Sequence, residues 1–272
     1  MLQPITQTTT VHGVLLETQS IAASLDPSSP TLVFLHEGLG SVRMWRDWPL
    51  TLCQQLGWAG LVYSRQGYGQ SDPVPDVRGP AMQRGHQRSG RLQPDYMHRE
   101  ALVVLPELLR QLGIEKPVLL GHSDGGTIAL LHAAHVDVHA CIVMAPHVMV
   151  EDLSLQAITL AREAFEKGTL RDRLAPYHAD VDCAFWQWND VWLSEAFRSF
   201  DIRQDLSRIK APLLAIQGVD DPYGSMAQID DIAAQAPQTQ RLQLPACGHS
   251  PHRDQTLVVT QAITEFLHRL RA

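Results

Sequence analysis

The sequence predicts an α/β protein, with a mostly parallel sheet and helices on both of its faces. Three observations predict it. Short apolar runs of strand length alternate with segments of helical periodicity. The runs at 31–35, 117–120 and 140–145 are almost wholly apolar, as strands buried on two faces must be. The chain has 272 residues and no internal repeat, which suits one large core rather than a solenoid or propeller.

The elements follow in order. Residues 11–17 and 31–35 read as strands, 44–56 as an amphipathic helix and 61–64 as a third strand. Residues 95–112 place Ala101, Leu105, Leu108, Leu109 and Leu112 at helical spacing. Pro106 must kink or restart that helix, because its ring removes a backbone donor and crowds the preceding turn. A strand at 117–120, a helix at 127–134, strands at 140–145, 213–217 and 241–244, and a closing helix from about 255 to 270 complete the series.

Two segments interrupt the alternation. Residues 73–94 are rich in Pro, Gly, Arg and Gln without periodicity and read as a long surface loop. From 147 to 210 the pattern turns helical and dense in aromatics, among them Phe165, Phe185, Trp186, Trp188, Trp192 and Phe197. That stretch reads as a helical insertion placed over the sheet. The expected division is a core of residues 1–146 and 211–272 with a helical cap of 147–210.

With 44% hydrophobic and 19% charged residues, the composition is that of a folded protein rather than a disordered one. The formal charge of -7 excludes the concentrated basic surface that nucleic-acid binding needs, so a small molecule is the expected partner. The start of the chain is polar and Thr-rich, and no apolar run approaches the ~18 residues of a membrane span, so the expected compartment is the cytosol. Cys53, Cys141, Cys183 and Cys247 lack a C-x-x-C pair and read as reduced, buried thiols. His132, His135, Asp137 and His139 are spread around a helix end, so no metal site is read from them.

The most informative stretch is Gly121-His122-Ser123-Asp124-Gly125, a G-x-S-x-G pentapeptide between an apolar strand and a helix. In that setting the serine occupies a tight strand-to-helix turn, and the two glycines permit the close backbone approach that the turn forces. Ser123 is the candidate nucleophile. A serine hydroxyl needs a base to take its proton and a carboxylate to orient that base, and these should follow in the order Ser, Asp, His. Gly218-Val-Asp220-Asp221-Pro222 follows one strand, and Gly248-His249-Ser-Pro-His252 follows the next. Asp221 is the preferred acid, with Asp220 as the alternative. His249 is the preferred base over His252, which should begin the final helix. The loop Leu35-His36-Glu37-Gly38 offers the N–H of Gly38 as an oxyanion donor opposite that of Asp124.

Together with Arg65-Gln-Gly67-Tyr-Gly69-Gln-Ser71-Asp72, these motifs resemble the α/β-hydrolase superfamily over nearly the whole chain. The resemblance implies an eight-stranded, mostly parallel sheet flanked by helices, with a helical cap between the sixth and seventh strands. It also implies a Ser123/Asp221/His249 triad and no cofactor. Two residues depart from the usual pattern. Glu37 stands where many members have glycine, and Asp124 follows the nucleophile where an apolar residue or Gln is common. Either carboxylate would disfavour an anionic substrate or raise the pKa of His249, unless both side chains turn away to local backbone.

The expected activity is that of a serine hydrolase acting on a small, largely apolar carboxylic ester, thioester or lactone through an acyl-enzyme. The pocket is expected to draw on His36, Glu37, His122, Trp186, Trp188 and Trp192. The nearest competitor is a C–C bond hydrolase of ring-cleavage products, for which Arg43, Arg46 or Arg65 would grip a carboxylate. A reading of another class is a non-catalytic receptor that keeps the hydrolase pocket.

Overall fold

The computed structural model describes residues 4–22 and 29–270 of the chain. Eight strands form one sheet: β1 (Ile5–Val11), β2 (Val14–Ile21), β3 (Thr31–Leu35), β4 (Gly60–Tyr63), β5 (Pro117–His122), β6 (Ala140–Met144), β7 (Leu213–Gly218) and β8 (Thr239–Leu244). Their order is β1-β2-β4-β3-β5-β6-β7-β8. Neighbours from β4 to β8 run parallel, whereas β1 with β2 and β2 with β4 are antiparallel. This is the α/β-hydrolase architecture that the motifs implied.

The central strands feed two cores because successive side chains point to opposite faces. Val33, Leu35, Leu119, Cys141 and Val143 join one core, and Leu32, Phe34, Val118, Leu120, Ile142 and Met144 join the other. Helix Asp124–His135 packs on the first face; helices Trp48–Leu56 and Thr256–Arg269 pack on the second. Each fully buried Leu or Ile contributes roughly 1.5–3 kcal/mol. That burial holds the strand ends, and hence the loops beyond them, in fixed register.

Three expectations are corrected. The strand expected at 11–17 spans a turn, where His12 and Gly13 take φ of 50° and 82° and join β1 to β2. The Thr-rich stretch before the turn is itself an edge strand. Its first residues are exposed, so apolar alternation could not mark it. The loop expected at 73–94 contains a short hairpin, Met82–Arg84 paired with Gln87–Ser89. Its strands are exposed to half-buried and, apart from Met82, polar, and Gly85 at φ 60° supplies the turn. The helix at 95–112 is α-helical over Tyr96–Arg99, π-helical over Glu100–Val104 and α-helical again over Leu105–Gln111. The three segments run on without a break, so Pro106 sits inside one helix where its π-helical turn passes back to α-helix.

Between β6 and β7 the chain folds into helices Asp152–Lys167, Leu170–Leu174, Val181–Trp192 and Arg203–Leu206. Phe165 stacks on Phe185 at 3.7 Å between ring centroids and ties the first long helix to the second. The four cysteines are free and buried. No helix among the described residues is long and apolar enough to cross a membrane.

Candidate active site

Strand β5 ends in the turn that carries Ser123. Ser123 takes φ 53° and ψ -120°, a left-handed conformation that an L-residue adopts only under constraint. Three contacts impose it. The Ser123 N–H donates to Met144 O at 2.9 Å, and the Thr127 N–H donates to Ser123 O at 3.0 Å. Helix Asp124–His135 also starts against the end of β3, so closely that a Cβ on Gly125 would lie 2.0 Å from Leu35 O. The strand-to-helix turn therefore requires glycine there.

Parallel strands bring the loops after β7 and β8 to the same rim. The His249 Nε2 lies 2.9 Å from Ser123 Oγ, and its Nδ1 lies 2.9 and 2.8 Å from the two carboxylate oxygens of Asp221. A carboxylate only accepts, so Nδ1 carries the ring proton and Nε2 presents a lone pair to the serine hydroxyl. Asp221 is fixed in turn by the Tyr223 N–H at 2.8 Å and by Gln217 Nε2 at 2.8 Å. Burial pushes the Asp221 carboxyl up, but its hydrogen bond and charge interaction with His249 outweigh this and hold it below the usual carboxylate range. Asp220 is exposed, and its N–H is spent on Cys247 O. His252 falls in a separate short helix, Pro251–Asp254, rather than at the start of the final helix Thr256–Arg269, and the contacts to Ser123 and Asp221 are made by His249.

The N–H groups of Gly38 and Asp124 have no acceptor among the described residues. That of Asp124 is the first of a helix, where no intrahelical partner exists. Gly38 must lack a side chain, because a Cβ there would lie 2.2 Å from Trp188 Nε1. Both residues line a cavity of about 110 Å³ with Glu37, Leu39, Ser123, His147, Ile158, Trp188, Trp192, Tyr223 and His249.

Of the expected pocket residues, Glu37, Trp188 and Trp192 line this cavity; His36, His122 and Trp186 do not. The buried His36 donates from Nδ1 to Glu37 O at 2.7 Å and accepts the Arg65 N–H at 3.1 Å, so it braces the loop. His122 lies behind His249. Trp186 faces outward beneath the guanidinium of Arg78, 3.9 Å from its ring centroid. His147 and Tyr223 were missed. His147 directly follows the Ala-Pro pair after β6 and Tyr223 follows Asp221-Pro222, so position after a strand end was the available signal. His147 is buried, donates from Nε2 to Tyr223 O at 3.0 Å, and is kept below the usual histidine pKa by burial and then by His249.

The two unusual carboxylates do not turn to local backbone. Asp124, 1% exposed, accepts from Tyr96 Oη at 2.5 Å and from Trp192 Nε1 at 3.3 Å, with Arg65 Nη2 at 3.9 Å. Glu37 Oε2 sits 3.4 Å from His122 Nδ1. Long-range packing supplies these partners, and sequence spacing gives no sign of them. Arg65 spends its other donors on His36 O and Glu37 O, while Arg43 and Arg46 are exposed, so none of these three arginines lines the cavity. His132 and His135 go to separate partners, Ala101 O and Asp205.

Residues 32–262 match the model of the alpha/beta hydrolase family. The chain belongs to this family. Over 271 aligned residues it is 24% identical to the sn-1-specific diacylglycerol lipase ABHD11 of Mus musculus, covering 89% of this chain and 82% of the relative. Its fold is similar to that of an enol-lactonase from Burkholderia xenovorans LB400, with TM-score 0.73 and 16% identity over 96% of this chain and 100% of the other. It is also similar to a structure described with carboxylesterases of the thaumarchaeon Nitrososphaera gargenis, with TM-score 0.72 and 19% identity over 98% and 99% of the two chains.

Proposed function

We propose that this α/β hydrolase is a serine hydrolase that cleaves a small, largely apolar carboxylic ester, with thioesters and lactones in the same reach. The observation that carries the reading is the continuous hydrogen-bonded chain from Ser123 Oγ through His249 to Asp221 beside the cavity. Ser123 attacks the carbonyl carbon while His249 takes its proton. The Gly38 and Asp124 N–H groups receive the oxyanion, each donor being worth roughly 3–4 kcal/mol in the transition state. His249 then gives its proton to the leaving alkoxide, which departs as alcohol and leaves an acyl-serine. A water deprotonated by His249 attacks that acyl group, releases the acid and restores the hydroxyl. Asp221 holds the imidazole in the Nδ1–H tautomer and stabilises its cation. No cofactor is needed for any of these steps.

Residues 147–210 act as a cap: Trp188, Trp192 and Ile158 close an apolar wall over Ser123 and, with the small cavity, favour short acyl groups. The acidic side chains Glu37 and Asp124 at the cavity, and the outward or inward turn of all three candidate arginines, weigh against an anionic ring-cleavage substrate. An assembled proton path weighs against a receptor without turnover. The test is Ser123→Ala assayed on p-nitrophenyl acetate and butyrate, with fluorophosphonate labelling. Loss of turnover and label in a folded variant supports the reading; undiminished hydrolysis overturns it.

A further inference from the structure

Glu37 and His122 stand next to the machinery, and the proposed reaction does not use them. Glu37 precedes Gly38, and His122 precedes Ser123. His122 is 1% exposed, and its Nε2 lies 2.6 Å from the main-chain oxygen of His249. A carbonyl oxygen only accepts, so Nε2 carries a proton. On the other side of the ring, Nδ1 is buried and makes no hydrogen bond among the described residues, with Glu37 Oε2 lying 3.4 Å away within ion-pair distance. One imidazole is thus flanked by two acceptors. A bare Nδ1 would set a lone pair against a carboxylate, whereas a second proton there makes an ion pair and leaves Nε2–H on the carbonyl.

We propose that His122 is an imidazolium paired with Glu37, and that this pair is a positioning device: it holds the main chain of His249, and with it the base, against Ser123. The idea rests on the Ser123/His249 reading for its effect on rate, although the charge state of His122 stands apart from that reading.

The surroundings fit. Burial works against the Glu37 carboxylate, yet its interaction with His122 holds it far below the usual range, so Glu37 is the anionic partner. The other titratable rings facing His122 are those of His249, centroid 5.1 Å away, and His252, 4.9 Å away. His252 packs against the stacked rings of Trp45 and Trp48, and burial drives its pKa well below the usual value, so it stays neutral. Of the two rings behind the base, the one with a carboxylate partner carries the charge. The pair also joins three loops, those after β3, β5 and β8, each of which supplies one element of the reaction.

The experiment uses the full chain labelled with ¹⁵N-histidine, with His122 assigned by comparison with His122→Gln. At pH 7.5 both His122 ring nitrogens should resonate in the protonated range. One nitrogen in the unprotonated range in the wild type overturns the ion pair, whatever the enzyme's activity. In Glu37→Gln, which keeps shape and loses charge, Nδ1 should lose its proton at the same pH while Nε2 keeps its own. Its kcat should fall roughly tenfold with KM within about twofold, short of the hundredfold that a 1 Å misplacement costs. An unchanged kcat in Glu37→Gln, or a fall in kcat with His122 still doubly protonated, overturns the positioning role. Retained hydrolysis in Ser123→Ala would instead sink the underlying reaction and leave the nitrogen signals as they are.

Discussion

The indole N–H of Trp192, from the helical segment between β6 and β7, donates to the carboxylate of Asp124 at 3.3 Å, directly beside Ser123. The same indole reaches Tyr96 Oη at 3.0 Å, and Tyr96 in turn donates to Asp124. A wall of the cavity is therefore anchored to the residue that follows Ser123. Asp124→Ala would leave the buried Arg65 guanidinium, a phenol and an indole without that acceptor. Removing one partner of a buried charged pair costs about 3 kcal/mol or more. Urea denaturation of Asp124→Ala should show a loss of that size, and Asp124→Asn a smaller one. Equal stability of all three proteins would mean that the anchor contributes nothing.

Strain at Ser123 makes a second prediction. Ser123→Gly and Ser123→Ala both remove the hydroxyl, and both should be inactive. Only glycine accepts φ 53° without penalty. The glycine variant should be the more stable of the two by about 1 kcal/mol, the lower end of the cost of such strain. Thermal melts of the pair decide this, and an alanine variant at least as stable as the glycine variant would show that the turn is unstrained.

Helix Asp124–His135 leaves no room at its first turn. A methyl on Gly125 would meet Leu35 O at 2.0 Å and His36 O at 2.7 Å, both backbone atoms that cannot rotate away. Gly125→Ala should lose about 1–3 kcal/mol of stability, the usual cost of overpacking. It should also lose most of its hydrolytic rate on p-nitrophenyl acetate, because the displaced chain leads to Gly38. A variant with wild-type melting and rate would contradict the close approach.

Buried histidines set the acid side of the stability curve. Burial lowers the pKa of His36, His132, His147 and His252, with Arg65 adding to the effect at His36. Unfolding returns each to about 6.5. Between the folded and unfolded values the unfolded chain binds more protons, so stability rises with pH. The contribution is complete above about pH 7 and is lost as pH falls below about 6.5, each ring adding up to ~1.4 kcal/mol per pH unit. The urea midpoint should drop steeply from pH 7 to pH 5. A midpoint that stays level over that range would mean these rings protonate in the folded protein.

Residue order alone was enough to specify the fold and to nominate Ser123, Asp221 and His249. Strand periodicity is local, and a parallel sheet delivers every strand-end loop to one rim, so motif position translates into spatial position. The edge strand Ile5–Val11 and the hairpin at 82–89 escaped because polar strands carry no alternating signal. The choice between Asp220 and Asp221 fell to tertiary structure, since neighbouring loop residues differ only in which way the backbone turns them. So did the partners of Glu37 and Asp124, the withdrawal of His36, His122 and Trp186 from the cavity, and the entry of His147 and Tyr223. Each of those depends on contacts between segments that lie far apart in the chain. Such contacts are selected by packing and by the need to pair buried polar groups, and neither is written in the local pattern of residues.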